Sequence, residues 1–172
     1  VTSGTFHLVG QRPVGTEPDE QQYDTLGWNL AQGHGFSLAT EAPYRPTMYR
    51  EPLYPAVIGG LYWWAGHQPA IVPYAQLPVF MATCVLTYLL GGRLFGEPIG
   101  RLAGVATAGF PTLANYPSYL LTESLATFLI VGSVGLIWMA WRQQRASWWA
   151  LAGVMLGLTS LCKAIMLWFM AP

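Results

Sequence analysis

The sequence predicts an all-α integral membrane protein, with several transmembrane helices and two amphipathic juxtamembrane helices in an extracytoplasmic loop. Nine of its charged residues lie in the first 51 positions, and none occurs between Glu51 and Arg93. Later uncharged runs cover 102–122, 124–141 and 146–162. A bilayer core takes about 20 consecutive apolar residues per helix, and charges inside it are costly. The polar front of the chain is therefore expected at the membrane surface, with the remainder inside the membrane.

Composition agrees with this class and excludes others. Hydrophobic residues make up 53% of the chain and charged residues 9%, against about 25% charged residues in ordinary soluble domains. The formal net charge is zero, so we expect membrane lipids and no nucleic acid as partners. Cys84 and Cys162 lie in apolar runs, and the three histidines lack ligand-like spacing, so no metal site is predicted from them.

The first surface helix is predicted over residues 18–32. Tyr23, Leu26 and Leu30 recur at helical spacing and form one apolar stripe. A proline and two carboxylates suit its first turn, and Gly33 suits its end. The stripe predicts that this helix lies along the bilayer.

The second apolar run, 52–66, is predicted to lie on the membrane surface. Its 15 residues reach about 22 Å as a helix, which is short of a core of about 30 Å. If this run does not cross the membrane, the four arginines of the later short loops all lie on the side opposite to residues 1–51. The positive-inside rule places arginines of short loops in the cytoplasm, so this arrangement satisfies it. The four arginines are Arg93, Arg101, Arg142 and Arg145. Residues 1–69 then form an extracytoplasmic loop.

The remaining segment, 70–172, is predicted to contain the transmembrane helices. The four spans expected are about 70–92, 102–121, 122–141 and 146–168. This topology places three separated stretches at the extracytoplasmic surface, namely residues 1–51, the loop around 115–123 and the end of the last span near Lys163. The ionisable residues that it gathers there are Asp19, Glu20, Arg50, Glu123 and Lys163.

Several short motifs, taken in order, resemble a known family. They are Pro18-Asp19-Glu20-x-x-Tyr23, Leu30-Ala-x-Gly-His-Gly-Phe36, Arg50-Glu-Pro-Leu-Tyr-Pro55, Arg93-Leu-Phe-Gly96, Leu121-Thr-Glu123 and Leu158-x-x-Leu-x-Lys163. The series is similar to the family 39-like glycosyltransferases of the GT-C superfamily, which include protein O-mannosyltransferases and the lipid A aminoarabinose transferase. Relatives are longer, so we expect this chain to be a piece of a larger membrane protein and to be inactive in isolation.

The resemblance implies an inverting enzyme of the plasma (inner) membrane. Its donor would be a sugar on a polyprenyl phosphate, and its acceptor a hydroxyl of a lipid, protein or glycan. Asp19 would be the catalytic base, with Glu20 beside it. Arg50 and Lys163 would bind the donor phosphate, and Glu123 would orient the acceptor or the base, or hold a cation.

Tyr23 and His34 complete the candidate substrate-binding residues. No cofactor is implied with certainty, although Asp19, Glu20 and Glu123 offer carboxylates for a divalent Mg or Mn ion. The sequence departs from the aminoarabinose transferase at Glu51, where that enzyme has a basic residue directly before the proline of its second surface helix.

Two other classes of function remain open at this stage. Ionisable residues such as Glu123 and Lys163 among apolar runs also occur in transporters and channels, of which this chain would be a fragment. A membrane subunit without catalytic activity is the third alternative. The position of most charges outside the apolar runs favours the enzyme.

Overall fold

The computed structural model describes residues 15–165, and within that range the chain is helical without β-strands. Its helices are α1 (Pro18–Ala31), α2 (Leu53–Ala65), α3 (Ile71–Phe95), α4 (Glu97–Gly109), α5 (Pro111–Asn115), α6 (Glu123–Gln143) and α7 (Ala146–Cys162). A short 3-10 helix, Tyr116–Ser118, follows α5. The part of the predicted last span beyond residue 165 lies outside the described residues.

Among the described residues, two helices are long and apolar enough to cross a membrane. The 25 residues of α3 and the 21 of α6 correspond to about 37 Å and 31 Å of helix, against a bilayer core of about 30 Å. The apolar helix α7 is shorter, with 17 described residues. The predicted fold class, an all-α membrane protein, is confirmed.

The region predicted as one span over 102–121 is divided in the structure. Its helix, α4, begins earlier, at Glu97, and ends at Gly109, where Phe110 takes an extended conformation. Pro111 follows directly, and a residue before proline is disfavoured in the helical conformation. Pro117 then lies in the 3-10 turn, and residues 119–122 are not helical. The two prolines therefore replace the end of a straight helix with an irregular segment.

Helices α3 and α4 form a tight hairpin through glycine. Gly96, with φ +96°, is the only residue between them. Beyond this turn Gly100 packs directly on the backbone of α3: a Cβ built on it would lie 2.5 Å from the Gly92 nitrogen and 2.7 Å from the Tyr88 carbonyl oxygen. Small residues allow helix backbones to approach this closely within membranes. The close approach of α4 to α3 therefore depends on Gly100.

Helices α6 and α7 form the second hairpin. The hydroxyls of Ser133 and Thr159 lie 3.4 Å apart at its centre. At its open end, the first residue of α6, Glu123, meets Lys163, which directly follows α7. An antiparallel pair thus returns the chain to the end of the bundle at which α6 began.

Helices α1 and α2 pack against each other and run in the same direction. Tyr23 meets Tyr54 edge to face at 5.1 Å, and one turn later Gly27 lies against Ile58. The loop between the helices is fixed by Asn29, whose side-chain amide donates to the carbonyls of Ser37 and Ala39 at 2.7 and 2.9 Å. This loop carries Arg50 back to the beginning of α1.

One buried carboxylate joins α1 to the segment that precedes α6. Glu20 is 0% exposed. Its Oε2 accepts hydrogen bonds from the backbone N–H groups of Thr16 and Glu17, both at 3.1 Å. Its Oε1 accepts from the N–H of Leu120 at 3.0 Å. Glu20 therefore links the first turn of α1 to a residue one hundred positions along the chain.

We expect Gly100→Ala to destabilise the protein by about 1–3 kcal/mol, because the new methyl group overpacks against the α3 backbone. Gly109→Ala is the matched control, since a Cβ there meets nothing within 4 Å. Unfolding in mixed micelles, followed by circular dichroism, measures both. Equal stability of the two variants would contradict the close approach of Gly100 to the backbone of α3.

We expect Glu20→Gln to lower the free energy of unfolding by about 1–3 kcal/mol. The amide nitrogen of glutamine cannot accept a hydrogen bond, so at least one backbone N–H loses its buried acceptor. Glu41→Gln, at an exposed position of the loop, serves as the control in the same titration. A Glu20→Gln variant as stable as this control would show that the link is dispensable.

Candidate active site at the head of the surface helices

The candidate site lies where four segments of the chain meet. The first turns of α1, α2 and α6 and the residues following α7 contribute to it. Contacts between Glu20 and Leu120, between Glu123 and Lys163, and between Glu51 and the backbone of Ala164 hold these segments together. The structure thus brings together the five ionisable residues that the predicted topology gathers on one surface.

Arg50 is fixed over the exposed face of α1. Its guanidinium forms an ion pair with Asp19, and its Nε donates to Gln22 Oε1 at 2.8 Å. The guanidinium carbon also lies 5.0 Å from the ring centre of Tyr23. The Asp19 side chain is 56% exposed and that of Arg50 is 17% exposed. The pair therefore presents an accessible carboxylate beside a largely fixed cation.

The two neighbouring carboxylates of α1 face different environments. Successive residues of an α-helix point about 100° apart. Asp19 consequently faces outward to Arg50, whereas Glu20 is buried with both oxygens accepting backbone hydrogen bonds. Of the two predicted catalytic carboxylates, Asp19 is the one that a substrate can reach.

A second ion pair lies on the side of the site formed by α6 and α7. Lys163 Nζ lies 3.0 Å from Glu123 Oε1, while Glu123 Oε2 is buried and accepts no hydrogen bond from the residues described. The hydroxyl of Tyr54 is also buried and, within 15–165, has no hydrogen-bond partner. Burial raises the pKa of Tyr54 well above its usual value, and the nearby negative charge of Glu123 contributes to the increase. Tyr54 is therefore a neutral phenol.

An open cleft of about 410 Å³ adjoins Arg50. Its walls include Tyr49, Arg50 and Glu51. Glu51 accepts a hydrogen bond from the Ala164 N–H at 3.1 Å, so this residue ties the loop to the end of α7. The sequence indicated Glu51 only as a departure from a relative, and it gave no role to Gln22. Gln22 follows Asp19 by three residues and therefore lies on the same helix face, a spacing that could have indicated that both contact one side chain.

The two remaining predicted site residues have different surroundings, since Tyr23 contacts Arg50 and His34 contacts Tyr44. The Tyr23 ring lies between Arg50 and Tyr54, and burial raises the pKa of its phenol although Arg50 opposes the increase. His34 stacks on Tyr44 with ring centres 4.0 Å apart. It follows α1 at the opposite end from Asp19, about 20 Å away along the helix axis.

A further cluster, unforeseen from the sequence, lies on the other side of α1. Asp24 accepts a hydrogen bond from the Tyr62 hydroxyl at 2.5 Å and lies 3.1 Å from His67 Nε2. The His67 ring stacks on Trp28 at 4.7 Å. Burial raises the pKa of Tyr62, and its bond to Asp24 adds to the increase. These contacts attach the turn between α2 and α3 to α1.

The three carboxylates considered for a divalent ion are directed to different partners. Asp19 faces Arg50, Glu20 accepts from backbone N–H groups, and Glu123 faces Lys163. Over residues 15–165 no group of three or more His, Cys, Asp or Glu side chains is arranged to hold a metal ion.

Comparison with known proteins identifies the family. The family model described as dolichyl-phosphate-mannose-protein mannosyltransferase matches residues 52–172, which is well over half of the chain. The match begins at Pro52, so α1 with Asp19 lies outside it. No curated protein and no solved structure matches the chain. The resemblance to GT-C glycosyltransferases is thereby confirmed. The chain belongs to the dolichyl-phosphate-mannose-protein mannosyltransferase family of membrane glycosyltransferases.

Proposed function

We propose that this protein transfers a sugar from a polyprenyl-phosphate donor to an acceptor hydroxyl, with Asp19 as the base. The family description names a lipid-phosphate-linked mannose as donor and protein as acceptor, which makes mannose the first donor sugar to test. The observation that supports this role for Asp19 is its geometry: an exposed carboxylate beside a fixed guanidinium. General-base catalysis requires a carboxylate that a substrate hydroxyl can reach.

The proposed reaction is a single displacement. Asp19 accepts the proton of the acceptor hydroxyl while the hydroxyl oxygen bonds to the anomeric carbon of the donor sugar. The bond between that carbon and the phosphate oxygen breaks, and its electron pair remains on the departing polyprenyl phosphate. Since attack and departure occur on opposite faces of the carbon, the anomeric configuration is inverted.

Arg50 and Lys163 are the proposed phosphate-binding cations. Negative charge grows on the phosphate as the glycosidic bond breaks, and a fixed cation stabilises it without having to reorganise. Arg50 is held by Asp19 and Gln22 and lines the cleft of about 410 Å³. A substrate phosphate in this cleft would lie beside both the cation and the base.

Glu123 is proposed to orient the acceptor. Its Oε1 is occupied by Lys163, but Oε2 is buried and lacks a donor among the described residues. A buried carboxylate oxygen without a donor is costly, and a substrate hydroxyl or a water can satisfy it. Tyr23 packs under Arg50 and is proposed to support the position of the guanidinium.

The site is proposed to face the outside of the plasma (inner) membrane. Charge supports this orientation, because Arg93, Arg101, Arg142 and Arg145 all lie toward the other end of the bundle. Short segments rich in arginine remain in the cytoplasm.

We expect Asp19→Asn to lower glycosyl transfer by about 10²–10⁴-fold, the usual contribution of a general base. The amide retains the shape of the side chain but cannot take the proton. The measurement is transfer of labelled mannose from polyprenyl phosphate in membranes containing the full-length protein, at matched expression.

Glu41→Gln provides the matched control, since it also neutralises a carboxylate but on an exposed part of the loop. Unchanged transfer by Asp19→Asn would remove Asp19 from the mechanism. A transporter would instead retain wild-type behaviour in Asp19→Asn and lose transport on changing Glu123, and a subunit without catalytic activity would tolerate both.

We expect a cysteine at Thr40 to react with a membrane-impermeant maleimide from outside intact cells, and a cysteine at Ser147 to react only after permeabilisation. Both positions are exposed. The parent protein, with Cys84 and Cys162 alone, gives the background. Labelling with the sides reversed would refute the proposed orientation, whatever the result for Asp19.

A further inference from the structure

An apolar groove opens between α3, α6 and α7, away from the candidate site. It has a volume of about 290 Å³ and walls that are almost entirely apolar. Leu86, Leu89, Phe128, Leu136 and Met155 are among its lining residues, and Arg93 is its one charged lining residue. A groove with apolar walls and a cation at its edge fits a ligand with a hydrocarbon chain and an anionic group.

The groove is distinct from the proposed transfer site. It extends along α6 to Trp138, which is 15 residues from Glu123 and therefore about 22 Å away along the helix. A donor phosphate beside Arg93 would be too far from Asp19 to react. A lipid whose phosphate lies beside Arg93 is therefore not the reacting donor.

The charge at this end of the bundle is strongly positive. Four arginines lie there with one carboxylate, Glu97, which is paired with Arg101. Neither Arg93 nor Arg142 forms an ion pair with any residue between 15 and 165. The Arg142 guanidinium lies over the ring of Trp138, 5.3 Å from its centre, and thus beside the groove. Two cations that have no ion-pair partner between residues 15 and 165 consequently flank the apolar groove.

We propose that this groove binds an anionic phospholipid, with one acyl chain between α3 and α6 and the phosphate beside Arg93 and Arg142. Basic pockets between transmembrane helices bind anionic headgroups, and the apolar walls of the groove accommodate the acyl chain. A tryptophan beside the headgroup is typical of the membrane interface. This inference does not depend on the proposed function.

Glycine keeps the groove open. A Cβ on Gly135, which lines the groove, would meet nothing within 4 Å. A larger side chain at this position can therefore enter the space without displacing the helices. Gly153 on α7 likewise has nothing within 4 Å, but it does not line the groove. The two glycines provide a blocking variant and a matched control.

The test is native mass spectrometry of the delipidated full-length protein, titrated with phosphatidylglycerol or with phosphatidylcholine of the same acyl chains. We expect one phosphatidylglycerol to be retained in preference to phosphatidylcholine. Arg93→Gln should weaken its binding about fivefold, and Gly135→Leu should abolish it. Arg101→Gln and Gly153→Leu should bind as the wild type does.

Three results would overturn the proposal. Equal retention of the two lipids would exclude a site for the anionic headgroup. Retention of phosphatidylglycerol that neither Arg93→Gln nor Gly135→Leu changes would place the lipid elsewhere. No retention at all would mean that protein, and not lipid, occupies the groove. Because one variant removes a cation at the headgroup and the other fills space in the groove, misfolding of one leaves the other decisive.

Discussion

The buried carboxylate of Glu20 is the interaction on which the rest of the site depends. Helix α1 lies outside the two hairpins of the bundle, and its packing on α2 alone would not fix its position against α6. The bond from the Leu120 N–H to Glu20 supplies that connection three residues before Glu123. This charged hydrogen bond lies in the interior, where such bonds are strong and costly to lose. Together with Leu120, which belongs to the same buried apolar cluster as Tyr23 and Tyr54, it sets the distance between the base proposed on α1 and the acidic residue that begins α6.

This constraint also separates the roles of two adjacent acidic residues. A carboxylate whose oxygens already accept backbone hydrogen bonds is a poor base, because each bond stabilises its charged form. Glu20 therefore suits a structural role, and the helical rotation of about 100° leaves Asp19 facing outward to Arg50. The acidic pair at the head of α1 thus supplies one structural anchor, Glu20, and one accessible carboxylate, Asp19, which we propose as the base.

The sequence predicted the helical elements better than the contacts between them. Charge-free runs and a periodic stripe indicated α1, α3 and α6, because burial in a membrane or at its surface constrains the composition of the sequence directly. The predicted span 102–121 is divided in the structure because Pro111 and Pro117 interrupt the helix. The prolines are a local signal, but the prediction followed the uncharged, apolar composition of the run instead. Glu20 bonds to the N–H of Leu120, one hundred residues away, and His34 stacks on Tyr44. Neither contact follows from local spacing.

The cations at the two ends of the bundle differ in whether they form ion pairs, and this difference affects the proposed mechanism. Arg93 and Arg142 are unpaired within the described chain, as suits a cation that holds a lipid continuously, whereas Arg50 is paired with Asp19. If Arg50 takes the donor phosphate, as proposed, that phosphate competes with Asp19 for the guanidinium. Arrival of the donor then releases the carboxylate from its ion pair with Arg50, so that its oxygens become free to accept the proton of the acceptor hydroxyl. Asp19 would become an effective base only once the donor is bound, which links donor binding to activation of the acceptor.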